Sequence, residues 1–170
     1  MTRMDLNFFR FRNLWRLEFT PDEVYHALQD IGGYPRWWPE VRSVDRIDDD
    51  TVRIVARSFL PYSLTFEATD SRQDDQAGVL EVRMSGDLEG FSRWTLSPQG
   101  SGTRAIFEEE VITRKTSLRR LAVVARPFFR LNHSSMMRNG RRGLRVYLAG
   151  YRAGSERGRE SQGRSSALAE

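Results

Sequence analysis

The chain contains no cysteine, which excludes both disulfides and thiolate-held metals. Histidine is nearly as scarce. His26 and His133 are the only two in 170 residues, so neither a metal site nor a bound cofactor is expected. Lysine is scarcer still, a single Lys115 against 26 arginines, a bias that a GC-rich genome explains better than chemistry does. Long apolar runs are missing too. No stretch approaches the roughly 20 residues that span a bilayer, and Met1 to Arg10 lacks the apolar centre of a secretory signal, so a soluble cytoplasmic protein is expected.

What is present fits one domain: 170 residues with 39% hydrophobic content are enough for one core. The net charge of +4 hides an asymmetry, because Val111 to Ser155 holds eleven basic residues and no acidic one. The remaining 16 basic and 23 acidic residues leave the rest of the chain at −7. A basic helix on an acidic body is either a solvated face or a surface for an acidic partner.

Period-two patterning opens the chain. Phe9, Phe11, Asn13, Trp15, Leu17 and Phe19 fall on one side and Arg10, Arg12, Arg16 and Glu18 on the other, as in a strand with one buried face. Thr20 then stands as an N-cap before Pro21, with Glu23 three residues on, so Pro21 to Asp30 reads as a short helix that turns Val24, Leu28 and Ile31 inward and leaves Tyr25 and His26 on its more exposed side. Gly32-Gly33 ends it, and the prolines around Tyr34-Pro35-Arg36-Trp37-Trp38-Pro39 allow no more than another turn of helix. Further strands are expected near 42–47, 51–58, 62–72, 78–87, 90–97 and 103–114, each with apolar residues on alternate positions, as in an antiparallel sheet covered on one face.

From Ser117 to about Tyr151 the period becomes helical. Leu118, Leu121, Ala122, Ala125, Phe129, Met136, Leu144, Tyr147 and Tyr151 form the inward stripe, and Pro127 predicts a kink near Arg126 or two abutting helices. The domain is therefore expected over 8–151, and the Gly-, Ser-, Arg- and Glu-rich segment 152–170 as a disordered polar tail.

One long helix cannot fill the concave face of a curved seven-stranded sheet, so a cavity is expected between them. The same order of elements is found with Trp37-Trp38-Pro39 after the short helices and Gly86-Asp87-Leu88-Glu89-Gly90 before Trp94. Gly102-Thr103-Arg104 opens the last strand, and Arg126-Pro127 through Asn132-His133 lie in the helix. In this the chain resembles the polyketide cyclase/dehydrase-like branch of the START-related SRPBCC superfamily, over residues 8–150. The resemblance implies an α+β helix-grip fold: a curved seven-stranded antiparallel sheet around a long C-terminal helix, with two short helices after the first strand. It implies no single activity, since such proteins include lipid carriers, quinone-binding proteins and aromatase/cyclases.

The expected partner is a hydrophobic small molecule: a lipid, a quinone or a polyketide-like compound. Its wall is expected to include Asn13, Trp15, Trp94, Phe107, Phe129, Asn132, His133 and Met136, with Trp37 and Trp38 either gating the mouth or plugging one end. The parity that buries Phe107 and Val111 also turns Glu109 inward, where proteins of the resembling family often carry an aromatic. A lone carboxylate in such a place is costly unless paired, hydrogen-bonded or protonated. Either Glu109 contacts the ligand, or a bulge in Glu108-Glu109-Glu110 places all three in solvent. Glu109 and His133 are the candidates for proton transfer if the protein is a cyclase or dehydratase. The arginine-rich helix face, if it has a partner, fits an anionic membrane surface or an acidic acyl carrier protein. Nucleic acid is not expected, because the aromatics occupy the buried parity and cannot stack on bases.

Overall fold

The computed structural model describes residues 7–59 and 62–167, the side chains of 116–126 and 156–167 excepted. Strand β1 (Phe8–Leu17) leads into helix α1 (Pro21–Gln29) and a 3₁₀ helix (Ile31–Arg36). Six strands follow: β2 (Val41–Arg46), β3 (Thr51–Ala56), β4 (Leu64–Asp74), β5 (Val79–Gly86), β6 (Leu88–Gln99) and β7 (Gly102–Thr113). Helix α2 (Thr116–Ala167) ends the described chain. The strands form one antiparallel sheet in the order β1-β7-β6-β5-β4-β3-β2, so the first strand closes against the last. This curved sheet with a long helix on its concave side is the α+β helix-grip architecture.

Local chemistry sets the early elements. The capping box at α1 is complete: Thr20 Oγ1 accepts from the Glu23 amide, and Glu23 Oε2 accepts from the Thr20 amide at 2.8 Å. Tyr25 departs from expectation. It is buried, because the end of the β4–β5 hairpin, where the Asp74 backbone hydrogen-bonds to its hydroxyl, covers a wider face of α1 than its apolar stripe alone suggests. His26 is exposed and contacts the Asp22 carbonyl at 2.7 Å. Gly90 has φ of +153°, and a Cβ there would stand 2.0 Å from the Glu110 carbonyl, so only glycine lets β6 lie this close to β7.

Helix α2 is continuous through Pro127, not two abutting helices. Leu118, Leu121, Ala122 and Ala125 of the expected stripe lie outside the described side chains. Beyond them Met137, Leu144 and Leu148 are buried and Tyr147 packs against the core, whereas Tyr151 is 69% exposed: by that turn the helix has passed the end of the sheet. The polar segment expected as a disordered tail from 152 continues as helix to Ala167. Its first residue is tied down, since Arg152 donates to Glu23 at 2.6 Å and holds that carboxyl down at about 2. No helix among the described residues is long and apolar enough to cross a membrane.

The helix is seated on the Trp37-Trp38 turn. Trp38 lies flat against Gly140 and donates its Nε1–H to the Met136 carbonyl at 3.0 Å, while the Trp37 carbonyl occupies the space beside Gly143. A Cβ at Gly143 would sit 1.7 Å from that carbonyl oxygen, whereas one at Gly150 would meet nothing within 4 Å. Gly143→Ala should therefore lower the melting temperature by several degrees, at about 1–3 kcal/mol for overpacking and roughly 2–4 °C per kcal/mol in a chain of this size. Gly150→Ala should leave it unchanged or raise it through helix propensity, worth up to about 1 kcal/mol. Thermal melts followed by circular dichroism compare the two, and equal melting temperatures would disprove the seat.

Candidate functional site

The site begins with the parity of β7. Thr103, Ala105, Phe107, Glu109, Val111 and Thr113 are all buried, and the residues between them are more exposed. No bulge interrupts the acidic run. Glu110 and Glu108 lie on the convex face, where Arg10 and Arg12 of β1 pair with them at 2.8 and 3.5 Å. Glu109 alone turns inward, and it is 7% exposed.

Register extends this position into a row across the concave face: Phe11 faces Glu109, Glu109 faces Ser92, Ser92 faces Val82, and Val82 faces Asp70. The adjacent row on one side is Phe9, Val111, Gly90, Met84 and Ala68; on the other it is Asn13, Phe107, Trp94, Leu80 and Gln73. A polar line thus crosses a largely apolar bowl.

Helix α2 lies over this bowl and brings His133 down onto Glu109. His133 Nε2 stands 2.9 Å from Glu109 Oε2, with side-chain exposures of 14% and 10%. The imidazole is held flat by aromatic neighbours: Phe11 stacks on it at 3.8 Å between centroids and 9°, and Phe107 lies at 6.0 Å and 26°. The inward carboxylate therefore has its partner on the helix, which offsets part of the cost of burying it. A hydrogen-bonded carboxylate and imidazole, both reaching an apolar cavity, have the arrangement needed to pass a proton or to hold a polar group of a ligand.

The cavity holds about 210 Å³ between the sheet, α1, the 3₁₀ helix and α2. Of the residues expected in its wall, Trp38, Trp94, Phe107, Glu109, Phe129, Asn132, His133 and Met136 line it. Asn13, Trp15 and Trp37 do not. Asn13 has the inward parity but sits half-buried at the β1 edge, beyond the reach of the void. Trp15 is buried behind the wall, 4.6 Å from Trp94 and 5.8 Å from Trp38, and Trp37 packs between Tyr34 and Trp38 at the end of the bowl. Both indoles are packed into the core outside the cavity wall.

Several wall residues were not anticipated. Ser92 and Asp70 were legible, since each shares parity with apolar neighbours, Trp94 and Ala68 respectively. Gln73 was not, because a register shift between Asp70 and Arg72 re-aims it after the bulge. Tyr34 gave no signal because the short proline-bounded segment that holds it has no period. Its hydroxyl donates to the Leu28 carbonyl at 2.7 Å and accepts from Trp94, and burial pushes it far above the usual tyrosine range. Burial likewise raises Asp70, despite the amide that Gln73 donates to it. Among the described residues, no three of His, Cys, Asp or Glu converge where a metal ion would sit.

Residues 17–139 match the family model described as polyketide cyclase/dehydrase and lipid transport. No curated protein matches the sequence. Solved structures share its fold. The Zhui aromatase/cyclase from Streptomyces sp. R1128 superposes with a TM-score of 0.70 at 13% identity, over 84% of this chain and 94% of its own. A START superfamily protein from Mycobacterium smegmatis gives 0.68 at 11% identity, over 84% and 98%. TTHA0849 from Thermus thermophilus gives 0.66 at 18% identity, over 81% and 98%. With the family model covering most of the chain and the fold shared throughout the domain, this protein belongs to the polyketide cyclase/dehydrase and lipid transport family.

Proposed function

We propose that the protein binds a hydrophobic small molecule between the sheet and α2, with Glu109 and His133 orienting it. The observation that carries this reading is the cavity itself: about 210 Å³, walled largely by aromatic and aliphatic side chains, with the hydrogen-bonded Glu109–His133 pair on its wall. An apolar cavity of roughly 150 Å³ takes up benzene, so one or two fused rings fit here, and a longer lipid, quinone or polyketide-like molecule would project from the mouth. Burying roughly 200 Å² of such a ligand contributes about 5 kcal/mol before entropy losses, so micromolar affinity needs the polar pair as well.

The 2.9 Å contact between Glu109 and His133 also favours a second reading, proton transfer in a cyclase or dehydratase. In that reading His133 takes the proton from the carbon next to a bound carbonyl, and Glu109 orients the ring and stabilises it once protonated. The exposed Arg130, Arg138 and Arg142 on the outer side of α2 would then serve to meet an acidic acyl carrier protein, and in a carrier to meet an anionic membrane.

Three outcomes are expected. N-phenyl-1-naphthylamine should bind the wild-type protein with energy transfer from Trp94, and Val82→Trp, which fills the bowl, should abolish the signal while leaving the circular dichroism spectrum unchanged. Binding that survives this substitution would place the ligand elsewhere. Exchange of the α-protons of 2-tetralone in D2O, followed by NMR, should be faster with wild type than with His133→Gln if the site transfers protons; equal rates leave binding alone. Co-sedimentation with anionic vesicles, or titration with an acyl carrier protein, should weaken steeply between low and near-physiological salt, and no binding at low salt would make the arginines a solvated face.

A further inference from the structure

The indole, phenol and glutamine donors on the cavity wall are already in use; the hydroxyls of Ser92 and Thr113 are not, and Thr113 Oγ1 is buried with no partner among the described residues. Tyr34 gives its hydroxyl hydrogen to the Leu28 carbonyl, Trp94 gives its indole hydrogen to Tyr34, and Trp38 gives its own to the Met136 carbonyl. Gln29 donates to Gln73 at 2.7 Å, and Gln73 donates to Asp70. The acceptors are not used up in the same way. Glu109 holds His133 with one carboxylate oxygen, and the carbonyl oxygen of Asn132 is buried with no partner among the described residues, its amide having only the thioether of Met136 at 3.6 Å. Ser92 stands beside Glu109 in the cross-sheet row and can serve either role.

Charge points the same way. The chain carries 26 arginines and a lysine, yet no arginine or lysine is among the described residues that line the cavity. Three carboxylates do line it. Glu81 is neutralised from the convex side by Arg93, which leaves Asp70 and Glu109 without an arginine or lysine partner among the described residues. In surroundings this apolar the repulsion of a bound anion is poorly screened.

We infer that the cavity selects an uncharged ring compound bearing a hydrogen-bond donor, such as a phenol or alcohol, and rejects carboxylates, fatty acids included. This rests on the binding reading above and adds the ligand's chemistry to it: the ring occupies the aromatic bowl and its hydroxyl meets the acceptor side of the Glu109–His133 pair.

Competition against N-phenyl-1-naphthylamine at pH 7.5 tests it with three compounds of one shape: 2-naphthol, 2-methoxynaphthalene and 2-naphthoate. The naphthol should displace the reporter at a concentration at least about tenfold below that of its methyl ether, and at least about thirtyfold below that of the carboxylate. Glu109→Gln should narrow the gap between naphthol and naphthoate to less than about fivefold. Naphthoate binding as tightly as the naphthol, an ether that matches the naphthol, or a gap unchanged by Glu109→Gln would each overturn the inference while leaving the cavity a binding site. A reporter that fails to bind wild type at all would instead bring down the reading on which it rests.

Discussion

The close approach of α2 to the Trp37-Trp38 turn is the constraint on which the rest of the structure depends. Two glycines one helical turn apart let an indole and a backbone carbonyl touch the helix, and the Trp38 Nε1–H bond to the Met136 carbonyl fixes the helix along its axis. One turn toward the N-terminus from that bond, the same helix presents His133. Its height over β7 is therefore set at the seat, which is why the imidazole meets Glu109 and not a neighbouring residue of the strand. A side chain at either glycine would lift the helix and open the pair.

The seat carries polar obligations of its own. Glu40, directly after the Trp37-Trp38-Pro39 turn, is buried and accepts from Asn139 at 2.6 Å, while its second carboxylate oxygen has no partner among the described residues. Such an atom costs free energy. The cost is consistent with a contact retained for register, since Asn139 adjoins Gly140. Thr103 shows the opposite case at the start of β7, a buried hydroxyl fully used in a 2.6 Å bond to the Phe19 carbonyl.

Outside the bowl, charges are sorted by face. Arg12, Glu108, Arg93, Glu81 and Arg72 follow one another across the convex side of the sheet, with ion pairs between Arg12 and Glu108 and between Arg93 and Glu81. Each exposed pair contributes little by itself. Their consequence is for orientation: Glu108 and Glu110 are held outside by β1 arginines, and the strand has only Glu109 to present inside. The acidic body also reaches the basic helix, where Glu18 meets Arg145 and Glu23 meets Arg152. Part of the charge that α2 carries thus docks the helix to α1 and to the turn that precedes it.

The sequence alone determined whatever belongs to a single element. Strand parity named the inward residues of β1 and β7, Glu109 among them; Thr20 and Glu23 marked the start of α1; and the change of period at Ser117 marked the long helix. It also supplied the two halves of the polar pair without joining them. Only the tertiary structure decided which inward residues reach the void, because parity tells a side chain's face and not its depth: Trp15 and Trp37 are behind the wall, Asn13 is at its edge, and Gln73 is turned into it by a bulge. The same holds for the helix, whose period predicts a stripe but not where the sheet beneath it stops, so Tyr151 is left in solvent. The meeting of Glu109 with His133 depends on a contact between Trp38 and Gly140, about a hundred residues apart in the chain, and no local pattern encodes a distance between elements.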